Sequence, residues 1–289
     1  LGVGSITLVA STFGDVNYTP TAAHQEIIIH PATPQLTLEL NRRLDVDATV
    51  SAVVKTSAVK GGGAVHYAIT AGTGNAEVDA NTGSVKGLKV GTIILTATTA
   101  GDKNYYASSI SKTFTIGQNT PILSIESATR LGVGDTLSAK VKSTAGEGGG
   151  AIRYSILGGS GLATVDADSG VLTALGVGNM LLVASSAGDL NYAPSVTMQE
   201  IFIDKGQPSI AVVPSGTLRV DEHITATVNT AATNGYSGPV KFSIIQGSGY
   251  AEVDPNTGVV RGIRAGTVEL VATSEGDDNY KTTNISHVL

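Results

Sequence analysis

Apolar and polar residues alternate in short segments along much of the chain. In the segment from Thr136 to Ser143, for example, Leu137, Ala139 and Val141 alternate with polar residues. This two-residue period predicts a β-strand with one buried face. Turns rich in Gly, Asn and Asp separate such segments at intervals of about 8 to 12 residues, a pattern typical of an all-β sandwich.

The stretch Gly-Asp-x-Asn-Tyr occurs four times. Its tyrosines are residues 18, 105, 192 and 280, so the spacings are 87, 87 and 88 residues. A fixed period of this size indicates one folding unit copied along the chain. Pro34, Pro121 and Pro208 are also 87 residues apart. Each proline is expected to stiffen a short linker before its repeat.

The period predicts three complete repeats and part of a fourth. The complete repeats cover residues 33–118, 119–206 and 207–289, whereas residues 1–32 correspond only to the C-terminal part of a repeat. Residues 1–32 are expected to form two strands, which alone are marginally stable in water. They are therefore either the cut end of a domain or a segment that another chain completes by strand addition.

The third repeat contains one extra residue, which lies between Val228 and Phe242. This position is a glycine-rich loop, where surface backbone tolerates insertions. Tyr236 is special to the third repeat. Residues 229–239 are therefore where we expect a ligand-binding loop, if the domains bind a glycan or a protein.

Composition and charge exclude several classes of function. The formal charge is -6, from 18 basic and 24 acidic residues without Lys/Arg clusters, so a nucleic-acid partner is not expected. The chain has no Cys and therefore no disulfide or thiolate metal site. No apolar run approaches the ~18 residues of a membrane span, so no span is expected in this segment.

Three motifs precede the Gly-Asp-x-Asn-Tyr stretch of the first repeat. They are Gly74-Asn-Ala-Glu-Val-Asp, Thr82-Gly83-x-Val85-x-Gly87-Leu88 and Gly91-Thr92-x-x-Leu95-x-Ala97. Together they resemble the group 2 bacterial immunoglobulin-like domains, which occur in tandem in large surface adhesins of the intimin and invasin type. The stretch itself is similar to loops of gliding-motility adhesins.

The resemblance implies immunoglobulin-like sandwiches in a linear array, exported to the bacterial cell surface. It implies no catalytic residues, because the family domain has none. The chain departs from antibody domains by lacking the Cys pair and the Trp. Tyr67, Tyr154 and Phe242 take the place of the strand-C aromatic residue.

Two interpretations of the Gly-Asp-x-Asn-Tyr stretch are open. In the first, Gly allows positive φ, Asp and Asn bond nearby amides, and Tyr folds over the end of the sandwich. In the second, Asp102, Asp189 and Asp277 bind Ca²⁺ near a domain junction. One carboxylate per loop is too few for a calcium site, so the first is favoured; the Asp277-Asp278 pair is the best single candidate for the second.

Other candidate sites are better explained as structure. The five histidines occupy unrelated repeat positions, which argues against zinc or histidine catalysis; they are His24, His30, His66, His223 and His287. The glycine runs 61–63 and 148–150 are not followed by Lys-Ser or Lys-Thr, so they are flexible loops and not phosphate loops. Asp79, Asp166 and Asp254 are expected to be hairpin turn residues.

The sequence therefore predicts a non-enzymatic stalk or spacer segment of a large bacterial surface adhesin or filament. Its expected partners are the neighbouring repeats. Two alternatives stay open: an adhesion module that binds a glycan, a host protein or another filament, and accessory domains of a secreted enzyme.

Overall fold

The computed structural model describes residues 2–214, 216–230 and 236–289. Within these ranges the regular secondary structure consists of β-strands. The predicted fold class, all-β with tandem immunoglobulin-like sandwiches, is therefore confirmed. The described residues include no helix that is long and apolar enough to cross a membrane.

The chain forms two compact units. The first runs to Pro121 and also contains Gly188–Ala193; the second contains Ile122–Ala187 and Pro194–Leu289. The first unit thus holds the N-terminal hairpin, the first repeat and one loop of the second repeat. The second unit holds the remainder of the second repeat and the third repeat.

The described residues of the first unit form ten strands: β1 (Gly4–Thr12), β2 (Thr21–Ile29), β3 (Leu36–Leu40), β4 (Leu44–Asp45), β5 (Thr49–Thr56), β6 (Val65–Gly72), β7 (Asn75–Val78), β8 (Ser84–Lys89), β9 (Gly91–Thr99) and β10 (Ser108–Gly117). Strands β1 and β2 form a two-stranded sheet. The first repeat is a sandwich of two sheets, with strand orders β3-β5-β8-β7 and β4-β10-β9-β6.

The strands of the second repeat are β11 (Leu123–Glu126), β12 (Arg130–Gly132), β13 (Thr136–Ser138), β14 (Lys140–Ser143), β15 (Ile152–Gly159), β16 (Leu162–Val165), β17 (Val171–Gly176), β18 (Gly178–Ser186) and β19 (Ser195–Asp204). Those described in the third repeat are β20 (Ala211–Pro214), β21 (His223–Asn229), β22 (Val240–Gln246), β23 (Tyr250–Val253), β24 (Val259–Arg264), β25 (Val268–Ser274) and β26 (Thr283–Val288). The sheets of the second repeat are β12-β19-β18-β15, β13-β17-β16 and β11-β14, and those described in the third repeat are β20-β21-β24-β23 and β22-β25-β26.

A short parallel pairing is one feature that the alternation pattern did not predict. Strand β4 pairs in parallel with the end of β10, and β12 pairs in parallel with the end of β19. Each pairing involves only two or three residues, too few for a periodic signal. As a result, the first part of the chain in each of these repeats contributes to both sheets of its sandwich.

The cores of the three repeats are built from the same positions. Leu95, Leu182 and Leu270 are fully buried, and two residues further along the same strands Ala97, Ala184 and Ala272 are fully buried as well. Burying a leucine side chain stabilises a fold by about 1.5–3 kcal/mol. These strands therefore bury every second side chain. The segment Thr136–Ser143, predicted as one strand, is instead divided at Ala139 into β13 and β14, which belong to different sheets.

The N-terminal hairpin corresponds to two strands of a repeat, but its apolar side chains are exposed to solvent. The two predicted strands are present, and β1 and β2 pair in antiparallel register over nine residues each. Ile6 and Leu8 are 52% and 60% exposed, whereas the equivalent Ile93 and Leu95 of the first repeat are 1% and 0% exposed. The two explanations for residues 1–32, a cut end or strand addition, both stay predictions.

In the second repeat, the glycine in the hairpin turn between β16 and β17 lies against the ring of the buried residue Tyr154. Gly170 has φ +69°, and a Cβ on it would lie 2.8 Å from ring carbons of Tyr154. Gly158 in the same repeat has φ +58°, but a Cβ there would meet nothing within 4 Å. Alanine substitutions at Gly158 and Gly170 therefore separate the free-energy cost of positive φ from that of steric overlap with the ring.

We expect Gly170→Ala to destabilise the second repeat more than Gly158→Ala does. Both variants place Ala at positive φ, at a cost of about 1–2 kcal/mol, and Gly170→Ala adds about 1–3 kcal/mol of overpacking against Tyr154. Hydrogen exchange of the amides in β18 measures the difference. Equal losses in the two variants would show that the ring contact is not tight.

Candidate functional site

The Gly-Asp-x-Asn-Tyr loop has the same internal hydrogen bonds in all four copies. The aspartate Oδ1 accepts the amide N–H groups of the residues two and three positions later, at 2.7–3.0 Å. The aspartate N–H donates to the tyrosine carbonyl at 2.8–3.1 Å. The glycine has a φ of 70° to 77°, which favours Gly. The loop is therefore a closed turn, and its Asn and Tyr side chains point away from the turn, where they can contact other parts of the chain.

The linker before each complete repeat is paired to the loop of that repeat. Ala32, Asn119 and Gly206 each donate their N–H to the carbonyl of the loop asparagine, at 2.9–3.0 Å. Their carbonyls accept the N–H of the residue after the loop tyrosine, at 2.8–3.0 Å. Because only backbone atoms take part, three different residue types, Ala, Asn and Gly, occupy the same structural position.

The loop asparagine bonds to the repeat that precedes it in the sequence. Its Oδ1 accepts a backbone N–H at 3.0–3.1 Å in each complete repeat; the pairs are Asn104 with Val3, Asn191 with Val90, and Asn279 with Val177. Each valine comes directly before a glycine with a φ of 139° to 143°. That glycine begins β1, β9 or β18, so the asparagine caps the turn into this strand.

The loop tyrosine Tyr192 packs against the core of the first repeat. Its hydroxyl donates a hydrogen bond to Asp47 Oδ2 at 2.5 Å. This hydrogen bond, together with burial and the negative charges of Asp47 and Asp189, raises the pKa of Tyr192 to about 12. Asp47 has a φ of 61°, so the acceptor is held in a left-handed turn.

Tyr280 packs in the same way on the core of the second repeat, where it is 3% exposed. The position equivalent to Asp47 is Gly134. Tyr236 lies edge-on against Tyr280, with ring centroids 5.8 Å apart and an interplanar angle of 78°. The Tyr236 hydroxyl is within hydrogen-bonding distance of Ser274 Oγ. The two junctions thus differ in the residues that the structure places beside Tyr192 and Tyr280.

Tyr236 is thus packed in the structure as part of a junction. Its predicted role in a ligand-binding loop is not tested by this contact and stays a prediction. Residues 231–235 of that predicted loop lie outside the described residues.

The loop aspartates also bond to the glycine-rich loop of their own repeat. Asp102 Oδ2 accepts the Gly62 N–H at 2.7 Å, and Asp277 Oδ2 accepts the Ser237 N–H at 2.9 Å. The amides of Gly62 and Asn104 hold the pKa of Asp102 below its usual range. Partial burial acts to raise the pKa of Asp277, but the amides of Ser237, Asn279 and Tyr280 outweigh it and lower the pKa.

The structure does not bring the predicted calcium candidates together. Asp102, Asp189 and Asp277 lie in separate loops, and Asp278 is exposed beside Asp277. Across the described ranges, no group of three or more His, Cys, Asp or Glu residues is placed to hold a metal ion. Calcium binding stays a prediction.

The three hairpin aspartates occupy the turns predicted for them. Each accepts the N–H groups of the residues two and three positions later through Oδ1, at 2.7–3.2 Å; they are Asp79, Asp166 and Asp254. The amide of the third residue is the largest cause that lowers the pKa of each carboxyl. These carboxylates act as turn residues.

No protein-family model matches the chain, and no curated protein sequence matches it. Solved structures that resemble it include human CDH23 EC21-23 (16% identity, 88% of this chain and 99% of that chain, TM-score 0.32). Others are protocadherin gammaB7 EC3-6 (16%, 100% and 85%, 0.29) and Drosophila OTK extracellular domains 3-5 (9%, 90% and 98%, 0.28). At these TM-scores the assignment of the fold comes from the strand pairing of the chain itself.

We expect Asn191→Ala to expose the Val90 amide. Because the Asn191 side chain supplies the acceptor for this part-buried N–H, its loss should cost about 1 kcal/mol and raise the exchange rate of that amide. Hydrogen exchange at Val90 is the measurement, with Leu190→Ala as a control, since Leu190 is 80% exposed in the same loop. Unchanged exchange in Asn191→Ala would contradict the assigned bond.

We expect Tyr192 to ionise near pH 12 and Asp47→Asn to lower its pKa toward the usual value of about 10. The raised pKa means that the protonated phenol contributes its stability fully below about pH 10, and that this contribution is lost as the pH rises through about 12. NMR titration of labelled tyrosine rings measures both values, with Tyr192→Phe to assign the signal. Ionisation of Tyr192 near pH 10 in the parent chain would disprove the Asp47 contact.

Proposed function

We propose that the chain is a structural spacer segment of a large bacterial cell-surface adhesin or filament, and that it has no enzymatic role. The observation that supports this proposal is the repeated use of the Gly-Asp-x-Asn-Tyr loop at the boundaries between repeats. Each copy in a complete repeat uses its aspartate on its own turn and its asparagine on the preceding repeat. The recurring aspartates and asparagines of the loop thus take part in hydrogen bonds that hold the loop and join it to the preceding repeat.

The loop contacts are suited to limiting the motion between neighbouring repeats. The two backbone hydrogen bonds of the linker hold the connection at a fixed place on the loop. The asparagine bond and the packed tyrosine then join that same loop to the preceding repeat. A linker held at both ends has less freedom than the flexible linkers that let tethered domains move independently.

Spacing would be the work of such a segment, with an adhesive region carried elsewhere. Strands of about 8 to 10 residues rise ~3.3 Å per residue, so each sandwich is roughly 30–40 Å long and three in line would span ~100 Å. An exported, extracellular location fits this role. These statements rest on the loop contacts and on the sequence resemblance.

Small-angle X-ray scattering of the chain tests the proposal. We expect a rod-like particle with a maximum dimension of at least ~100 Å. A compact globule would overturn the spacer function.

A triple variant, compared with the parent chain, tests the role of the loop asparagines. Asn104→Ala, Asn191→Ala and Asn279→Ala together remove the three asparagine bonds between repeats but leave the sandwich cores intact. We expect an unchanged circular dichroism spectrum and a broader distribution of particle dimensions. A scattering curve identical to that of the parent chain would show that the asparagines do not stiffen the array.

A further inference from the structure

The aspartate that receives a loop tyrosine in the first repeat has a close copy in the third repeat. Asp47, which accepts the Tyr192 hydroxyl, has a φ of 61°, and Asp221 at the equivalent position has a φ of 62°. The Asp47 N–H donates to the Gly87 carbonyl at 2.9 Å, and the Asp221 N–H donates to the Gly262 carbonyl at 2.8 Å. Asp221 is therefore held by the same turn that holds Asp47.

The amide that receives a loop asparagine also has a copy in the third repeat. In the first two repeats this amide belongs to Val90 and Val177, and the glycine after each has a φ of 143°. Ala265 occupies this position in the third repeat, and the glycine after it, Gly266, has a φ of 143° as well. Ala265 and Gly266 are both exposed. The backbone that presents the amide is thus already formed in the third repeat.

An apolar residue next to the aspartate position differs in exposure between the repeats. Val46 and Val133 are 1% and 5% exposed, whereas the equivalent Val220 of the third repeat is 47% exposed. Tyr192 packs on the core cluster that contains Val46, and Tyr280 belongs to the core cluster that contains Val133. Val220 is thus an apolar contact that is open to a partner.

A cavity adjoins these residues of the third repeat. Its volume is about 400 Å³, and its lining includes Val220, Ala265 and Gly266. Asp221 follows Val220, and its side chain is 80% exposed and forms an ion pair with Arg261 at 3.4 Å. We call Val220, Asp221, Ala265 and Gly266 the docking surface.

The N-terminal hairpin carries a loop of the matching kind, Gly14–Tyr18, which we call the N-terminal loop. Asp15 Oδ1 accepts the N–H groups of Asn17 and Tyr18 at 2.7 and 3.0 Å, so the turn is closed as in the other copies. Tyr18 is 75% exposed, whereas Tyr280 is 3% exposed. The N-terminal loop is therefore formed and presents its tyrosine to solvent.

We propose that the N-terminal loop of one copy of this chain binds the docking surface of a second copy. In this contact Asn17 Oδ1 accepts the Ala265 N–H, and the Tyr18 hydroxyl donates to the Asp221 carboxylate. The loop of the second repeat makes the same two contacts with the first repeat, so the chain itself contains the template for the complex. Association between copies goes beyond the spacer function and does not depend on it.

The charges of the two surfaces are complementary. Residues 1–32 contain two acidic residues but no Lys or Arg. The cavity beside the docking surface is lined by Arg219 and Arg264. Arg219 pairs with Glu222 at 3.7 Å, whereas Arg264 donates to the Ser248 carbonyl at 3.3 Å and keeps its net positive charge. Opposite charges on two partners favour their encounter and orient it.

The contact joins two different surfaces, so it is heterologous. Each copy offers one loop and one docking surface, and association therefore continues from copy to copy. A single loop covers less than the ~800 Å² per partner of a standard interface. The pairing between copies also uses the asparagine and tyrosine side chains without the linker bonds that hold the loops within the chain. We therefore expect weak association, with a Kd of ~0.1–1 mM.

Sedimentation equilibrium of the full chain at concentrations up to about 1 mM tests the association. We expect reversible association that proceeds beyond dimers. A loop variant, Asn17→Ala with Tyr18→Ala, and a docking variant, Val220→Lys, should each weaken it by at least about 10-fold. Val213→Lys is the control, because Val213 is an exposed valine of the same repeat outside the docking surface. Circular dichroism checks that each variant is folded.

A mixture of the loop variant and the docking variant separates this contact from any other. The loop variant keeps its docking surface, and the docking variant keeps its N-terminal loop. We expect each variant alone to be monomeric and the mixture to form heterodimers that do not grow further. Association through another surface would make the mixture behave like the separate variants.

Hydrogen exchange at the Ala265 amide is an independent measurement. We expect exchange to slow by about 2-fold or more when the parent chain is concentrated to ~1 mM, because the amide then donates to Asn17. Asn17→Ala should remove this dependence on concentration. The Val177 amide, which already bonds to Asn279, should exchange at the same rate at both concentrations.

Three results would overturn the proposal. A parent chain that stays monomeric at about 1 mM excludes pairing between copies and leaves the docking surface to a loop of another origin. A mixture of the two variants that forms no heterodimer shows that the loop and the docking surface are not partners. Exchange at Ala265 that is independent of concentration shows that its amide is not in the contact.

Discussion

The structure depends on the pair of hydrogen bonds that each loop aspartate accepts from the amides two and three residues later. These bonds close the Gly-Asp-x-Asn-Tyr turn, and the closed turn determines where Asn and Tyr point. From that position the asparagine reaches a backbone amide of the preceding repeat, and Tyr192 and Tyr280 reach apolar cores. A short-range constraint within five residues therefore organises contacts between residues about one hundred positions apart.

The two described junctions of complete repeats show how a shared contact tolerates variation. The asparagine bond is the same in both, with lengths of 3.1 Å. The residues beside the tyrosine differ: Asp47 of the preceding repeat accepts a hydrogen bond from Tyr192, whereas Gly134 stands at the equivalent position of the next junction. There Tyr236, from the same repeat as Tyr280, lies edge-on against the Tyr280 ring.

Much of the fold was predictable because the chain contains its own replicates. Alternation predicted strands in most places, although it did not reveal that Thr136–Ser143 divides between two sheets. The period of 87 or 88 residues aligned the turns. The turn aspartates Asp79, Asp166 and Asp254 followed from their chemistry. The bonds of the asparagines were not predictable, since their partners are backbone amides, which leave no trace in residue identity. The two backbone hydrogen bonds between linker and loop were not predictable for the same reason, because Ala32, Asn119 and Gly206 have only their backbone atoms in common at that position.

The central claim, that the Gly-Asp-x-Asn-Tyr loop holds neighbouring repeats in one arrangement, is tested most directly by a distance distribution across a junction. Spin labels on Ser155→Cys and Ser243→Cys, exposed and equivalent positions of the second and third repeats, allow an electron–electron resonance measurement in this Cys-free chain. The account predicts a single narrow peak that Asn279→Ala broadens. A broad distribution in the parent chain would contradict it.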